Sequence, residues 1–443
     1  MTQLNSILIG DQTLTAECGA QLLARGHSIS AVVTDNPRVA DWATGAGLNV
    51  LAPGAGLGAR LAGVQADWLF NIAGLRMLPR AVLNLPAQGA INFHDGPLPR
   101  HAGLNAPVWA LLAGETRHGI AWHIMEDGVD TGDVLLRSDF DIAPDDTALT
   151  LNTKCLILDM VEAGAPQRQP QDTAARTVHA RADRPALGGQ IDPRQTMADI
   201  LRLVRAMDHG PYWNPLTTAK LRLGDTVLCV GQADPAEGHA TPGTVLDVTD
   251  NSLTLACADA ALRLSGLTCQ QGEPRVPAAL VAMGDRIGAP DAGLHNPLEQ
   301  IAPADLGYRD ALRSTDDLGL GRGTASTALT LDIGDIDTTA QIAAFAAGLG
   351  AQFGRDALRM AHVTRAGAEL AAQSPDYLLG WVPLAVSMAD PGPLSSLGAQ
   401  IKRAARAPAL ARDLPARDPA LGPIAPPELT VTDGTDTDAA LVL

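Results

Sequence analysis

Across its first 165 or so residues the chain repeats one rhythm, and that rhythm restricts the fold more than any other feature. Short apolar runs, "SILIG", "SISAVVT", "DWLFNIA", "GAINFH" and "GIAWHIM", are separated by stretches long enough for helices. Apolar runs of strand length alternating with helical segments describe βαβ units, whose strands lie parallel in a sheet covered on both faces. The expected class is therefore α/β, a Rossmann-like, doubly wound, mostly parallel sheet. The first strand ends at Gly10, yet "GDQTLTAECG" lacks the G-x-G-x-x-G pattern that brings a backbone against a dinucleotide pyrophosphate. A nicotinamide cofactor is not expected.

Further along, the rhythm changes twice. Residues 166–193 have little apolar periodicity and read as a linker. Residues 194–290 begin with a helical stretch, "TMADILRLVRAMD". Short alternating runs follow, "KLRLGDTVLCV", "GTVLDVTDNSLTLAC" and "ALRLSGL", joined by Gly, Asp and Asn turns. They predict a small OB-like β-barrel. From 300 to 443 the pattern is Ala-rich and mainly helical, with helices expected over "TTAQIAAFAAGLGAQFG", "RDALRMAHVTRAGAELAAQ" and "SSLGAQIKRAAR". Gly319, Gly321 and Gly323 lack the Lys-Ser/Thr of a phosphate loop and read as a flexible joint. Pro415, Pro419, Pro423, Pro426 and Pro427 predict an extended, mobile tail.

Composition narrows the setting. Five scattered cysteines without a C-x-x-C pair argue against a disulfide framework or a zinc site and for a reducing cytoplasm. No apolar run reaches the ~18 residues of a membrane span, and no basic segment precedes the first apolar residues. A formal charge of −17, from 32 Lys and Arg against 49 Asp and Glu, opposes a phosphate backbone and disfavours nucleic acid as a partner.

The candidate chemistry lies in "GAINFHDGPLPRHAG" and "MEDGVDTGD". Asn92 and His94 stand at i and i+2, so on a strand both side chains leave one face. The strand then enters a loop, which places them at the carboxyl end of a sheet strand, where open α/β sheets bind ligands. Asp130, between Gly128 and Gly132, follows the next strand, so that an amide, an imidazole and a carboxylate can converge. His101, His118 and His123, each taken alone, read as ordinary core or surface histidines, and Trp109 and Trp122 as core aromatics. Asp127, Asp130 and Asp133 fall at steps of three, unlike a calcium loop, and no metal is expected.

In order and separation these residues resemble the formyltransferases that use 10-formyltetrahydrofolate, the family of the methionyl-tRNA and glycinamide ribonucleotide enzymes. That family's motif is Asn-x-His, a Leu-Pro-x-x-x-Gly loop and a later Asp-x-Gly, matched here by Asn92, His94, Leu98 to Gly103 and Asp130. The likeness spans residues 1–165, the catalytic domain. It extends over parts of residues 194–290, which resemble the small C-terminal barrel of the transfer-RNA enzyme. It implies a pterin lying against the loop with Arg76, Met77 and Leu78 and the segment with Asp127 that leads to Asp130. It also implies a substrate loop with Leu98, Pro99, Arg100 and Gly103. Where the family has Ser-Leu-Leu-Pro, this chain has Gly96, Pro97, Leu98 and Pro99.

The residue types suit that reaction. Passing a formyl group from a folate nitrogen to an amine creates an oxyanion and a proton to relay. An Asn amide preorganised for the oxyanion commonly contributes ~3 kcal/mol. His94 can carry the proton near neutral pH, and Asp130 can orient it. The wording around His94 is closest to formylation domains of nonribosomal peptide synthetases, and the region after 325 weakly resembles part of a condensation domain without its catalytic motif. The expected acceptor is thus a small-molecule or carrier-bound aminoacyl amine in secondary metabolism. The alternatives are methionyl-tRNA or an amino-sugar nucleotide, and a non-catalytic folate-binding scaffold. Residues beyond about 300 are expected to take no part in the chemistry.

Overall fold

The computed structural model describes residues 3–154, 168–314, 328–330, 338–389, 392–425, 429–432 and 440–442. The chain forms two compact units, Met1–Ala180 and Arg181–Leu443. Among the described residues no helix is long and apolar enough to cross a membrane. The joint expected at Gly319, Gly321 and Gly323 lies outside them, as do Cys155, Pro426 and Pro427.

In the first unit the strands are β1 (Asn5–Ile9), β2 (Ser28–Val33), β3 (Val50–Leu51), β4 (Trp68–Ile72), β5 (Gly89–His94), β6 (Ala102–Gly103), β7 (Arg117–Ile124), β8 (Val134–Asp141) and β9 (Val178–His179). Seven of them make one sheet in the order β3-β2-β1-β4-β5-β7-β8. β1 to β5 pair in parallel, whereas β7 and β8 run antiparallel along one side. Successive residues of a strand enter opposite cores: Leu8, Phe70, Ile91 and Trp122 pack with Cys18 and Leu22 of the Thr13–Ala24 helix. Ile7, Ile9, Leu69 and Ala90 pack with Leu57, Leu61 and Val82 on the other face. Burial on both faces is why the strands read as unbroken apolar runs rather than alternating ones. Trp122, 1% exposed, lies edge-on to Phe93 at 5.2 Å and to Phe70 at 6.3 Å, a core position as its sequence suggested.

The second unit opens with the small antiparallel domain. Strands 220–223, 226–229 and 268–269 form one sheet, and strands 232–236, 245–248, 252–256 and 261–265 form another. The region beyond 300 departs from the mainly helical expectation. Thr338–Phe353 and Pro393–Arg406 are helices, but "ALRMAHV" is a strand, Ala357–Val363, and a helix begins only at Arg365. That strand sits in a five-stranded sheet, antiparallel to Val382–Ser387 and parallel to Thr430–Thr432. Ala, Leu, Met and Arg favour helix weakly. Burying Leu358, Met360, Leu384 and Val386 completely in one core overrides that preference. The tail after Pro408 is likewise no loose end over its described part: Leu410 and Leu414 are fully buried, and Leu414–Arg417 is a helical turn.

Candidate active site

Register builds the site. Asn71 of β4 lies beside Asn92 of β5, which lies beside His123 of β7, so three polar side chains form a row across three adjacent strands. The row is hydrogen-bonded in a fixed sense. Asn71 Nδ2 donates to the Gly74 carbonyl at 3.0 Å and to Asn92 Oδ1 at 2.7 Å. A carbonyl can only accept, so both amides are oriented, and Asn92 presents its NH₂ away from Asn71. That NH₂ meets His123 Nε2 at 3.0 Å and Asp130 Oδ1 at 3.5 Å. His123 Nδ1 donates to the Ile124 carbonyl at 2.8 Å, which leaves Nε2 as the acceptor in the neutral ring.

His94, two residues after Asn92 and 4% exposed, is oriented by the same logic. Its Nε2 donates to the His101 carbonyl at 2.8 Å, so the neutral ring keeps its lone pair on Nδ1. Nδ1 faces Asp130 at 3.6 Å and Asp95 at 3.7 Å. Gly96 makes this approach possible, because a Cβ there would stand 2.7 Å from His94 Nε2 and 2.9 Å from the Ala106 Cβ. The serine of the family's loop pattern would press on the imidazole, a physical reason for glycine at this position.

Asp130 closes the group. Its φ is +49°, a left-handed conformation uncommon for residues other than Gly, Asn and Asp. Burial pushes its carboxyl up. His123 Nε2 at 3.3 Å, His94 Nδ1 at 3.6 Å and the Gly103 N–H at 2.7 Å outweigh that and hold it at about 2. It is therefore ionised throughout the neutral range. Gly103 earns its place by geometry: φ is +96°, and a Cβ would collide with the His179 carbonyl at 2.1 Å.

The structure brings Asn92, His94, Asp130 and Gly103 together, and the residues expected to line the folate and substrate sites have contacts of their own. Asp127 is exposed and paired with Arg80, away from the Asp130 carboxylate. Arg76 is half exposed, its guanidinium held by Asp35 and facing Asp11 at 3.6 Å. Met77 is 70% exposed in the same loop, whereas Leu78 packs against the core. Leu98 is buried with Ala102, Ala121 and Val134. Pro99 follows it at the edge of the loop, and Arg100 pairs with Glu115 at 3.1 Å. Asn71 and His123 were not foreseen as site residues. Their one signal is a polar residue inside an otherwise apolar strand of a doubly covered sheet, where burial needs a partner.

Comparison with known proteins places this geometry. The pattern of the family described as Formyl transferase matches residues 55–161, and that of Formyl transferase, C-terminal domain, matches residues 188–284. The methionyl-tRNA formyltransferase of Stutzerimonas stutzeri is 30% identical over 300 residues, spanning 62% of this chain and 93% of that protein. The chain belongs to the formyltransferase family. The methionyl-tRNA formyltransferase of Gluconobacter oxydans is 32% identical to this formyltransferase over 293 residues, 59% of this chain and 90% of that one. Among solved structures, an N-formyltransferase from Helicobacter canadensis, described in complex with folinic acid and dTDP-3-aminofucose, has a TM-score of 0.48. It is 14% identical and covers 60% of this chain and 100% of that one.

Proposed function

We propose that this formyltransferase moves the formyl group of 10-formyltetrahydrofolate to a primary amine, with His94 Nδ1 as the proton acceptor. The observation that carries the reading is the division of labour on the His94 ring. Nε2 is engaged by the His101 carbonyl, while the lone pair of Nδ1 faces an ionised Asp130 at 3.6 Å. As the amine nitrogen bonds to the formyl carbon it becomes acidic, and its proton passes to Nδ1. The imidazolium so formed is stabilised by Asp130, and it can return the proton to the folate nitrogen as the old carbon–nitrogen bond breaks. Asn92, oriented through Asn71, offers an N–H to the oxygen that gains negative charge. The loop Ala73–Pro79, with Leu75 61% and Met77 70% exposed at the carboxyl end of β4, suits a flat, partly apolar ring.

The names of the relatives favour the aminoacyl end of methionyl-tRNA as the acceptor, and the likeness extends through the small β domain as well as the sheet. The carrier-bound amine expected from the wording of the sequence has no such support. A 4- or 3-amino sugar nucleotide is the second reading, favoured by the formal charge of −17, which opposes the long phosphate backbone of transfer RNA more than a single diphosphate. Formyl transfer from labelled 10-formyltetrahydrofolate should be measured side by side on methionyl-tRNA, a dTDP-amino sugar and an aminoacyl carrier. Turnover on methionyl-tRNA, abolished by His94→Ala, is expected. Turnover only on another amine would replace the acceptor, and full activity of His94→Ala would remove the mechanism.

A further inference from the structure

Between the two stretches that match the family patterns runs a segment that reads in sequence as a linker, yet its residues 169–180 touch both loops of the site. Gln169 bridges Val134, with both main-chain hydrogen bonds at 2.9 Å. Gln171 Nε2 donates to the carbonyls of Asp130 at 2.9 Å and Gly132 at 2.7 Å. Arg176 donates from Nη1 to the same Asp130 carbonyl at 3.0 Å and from Nη2 to that of Val129. On the other side, Thr177 accepts from the His101 N–H at 2.8 Å through its hydroxyl and from the Ala102 N–H at 2.9 Å through its carbonyl. β9 then pairs with β6 in parallel, and the His179 ring lies 3.1 Å from His101 Nδ1 while stacking on Trp109 at 4.6 Å. The two loops so held meet at one bond, from the Gly103 N–H to Asp130 Oδ2.

We propose that residues 169–180 are a positioning strap for formyl transfer, with Gln171 and Arg176 fixing the Asp130 main chain and Thr177 and His179 fixing the loop that carries Gly103 and His101. Two donors on one carbonyl hold Asp130 in its left-handed conformation, so that its carboxylate lies between the Gly103 N–H and His94 Nδ1. His101 provides the carbonyl that orients His94, so the same strap supports both members of the proton-transferring pair. None of its four residues faces the reacting atoms by itself. Their contribution passes through Asp130 and His94.

The inference rests on the functional reading above, so its test has one arm with turnover and one without. Arg176→Ala and Gln171→Ala, made in the full chain, should each lower kcat by about 10- to 100-fold, the scale of a misplaced catalytic group. KM for folate and amine should stay within about threefold, since uniform binding is untouched. Arg176→Lys, which restores one donor, should recover part of the loss. In the second arm, hydrogen exchange at the Gly103 amide should quicken in both alanine variants while β5 keeps its protection. Normal kcat with unchanged Gly103 exchange would overturn the strap, as would a loss of kcat that merely follows the unfolded fraction. If the unaltered protein formylates none of the amines, the functional reading fails, and the exchange arm alone decides whether the strap holds the loop.

Discussion

Two aspartates, one in each unit, are largely withdrawn from solvent and strongly acidic, but their surroundings have opposite character. Asp130 is held by two histidines, a main-chain N–H and the weak reach of an amide. Asp413 is held by fixed cations: Lys220 Nζ at 2.7 Å, with Arg417 at 3.7 Å and the hydroxyls of Thr217 and Thr218 completing its shell. Burial pushes the Asp413 carboxyl up, and Lys220 and Arg417 hold it far below the usual carboxylate range. Arg417 continues to Asp305 at 2.8 Å, and Asp305 to Arg184 at 3.1 Å, every side chain at most 5% exposed. The difference separates two uses of a buried carboxylate. A charge answered by permanent charges is fixed, whereas one answered by imidazoles has partners that can take up and release a proton, which is the condition for relaying one.

The largest expected effect comes from removing one side of the fixed network. Ending the chain near Pro290 would delete Asp305 and Asp413 and leave Arg184 and Lys220 without their carboxylates. It would also remove Leu294, Tyr308, Leu378 and Leu410, which share a core with Val227 of the small β domain, and so uncover Val227. The shortened chain should be insoluble or lack a cooperative second transition by calorimetry. A soluble, cooperatively folded product would show the two parts to be independent. This gives the region beyond 300 a part in the stability of the second unit and leaves unchanged the expectation that it takes no part in the chemistry.

Next come substitutions that separate the two aspartates by their readout. Asp130→Asn keeps the shape and removes the charge that faces His94, so kcat should fall by about 10²- to 10⁴-fold with little change in Tm. Asp413→Asn should do the reverse. It breaks a buried pair and should destabilise the second unit by about 3–5 kcal/mol, with kcat per folded molecule intact. If Asp413→Asn lowered kcat without lowering Tm, the fixed network would have a part in function, and the contrast would fail.

How much of this was legible depends on whether a feature is local. The parallel sheet was, because burial on both faces writes itself as apolar runs, and so were Asn92, His94 and Asp130, whose spacing survives in the chain. The row through Asn71 and His123 was not, since it depends on the register of β4, β5 and β7, which no single strand encodes. The strand Ala357–Val363 was hidden by residues that favour helix, and the five prolines of the tail concealed the anchors Leu410, Asp413 and Leu414. Asp127, three residues from Asp130 in sequence, pairs with Arg80 at the surface, a contact that no local pattern announces.

The smallest effect is in the acid range and sharpens the comparison at its weaker member. Asp130 ionises at about 2 in the folded protein against a reference of 3.8 for a free side chain. A folded value below the unfolded one means that the carboxylate favours folding. The contribution is complete above the unfolded value and fades as pH falls from about 4 to about 2, and it amounts to about 2 kcal/mol. Exchange-derived unfolding free energies of the first unit's sheet should therefore decline more steeply between pH 5 and pH 2 in the unaltered protein than in Asp130→Asn, by about that amount. Asp413, held lower still, starts to lose its contribution at the same unfolded value and has more to lose, so the second unit should decline at least as steeply over the same interval. Parallel declines in the unaltered protein and Asp130→Asn would mean that the histidines and the Gly103 N–H do not hold Asp130 as described, and its role beside His94 would need another source of charge.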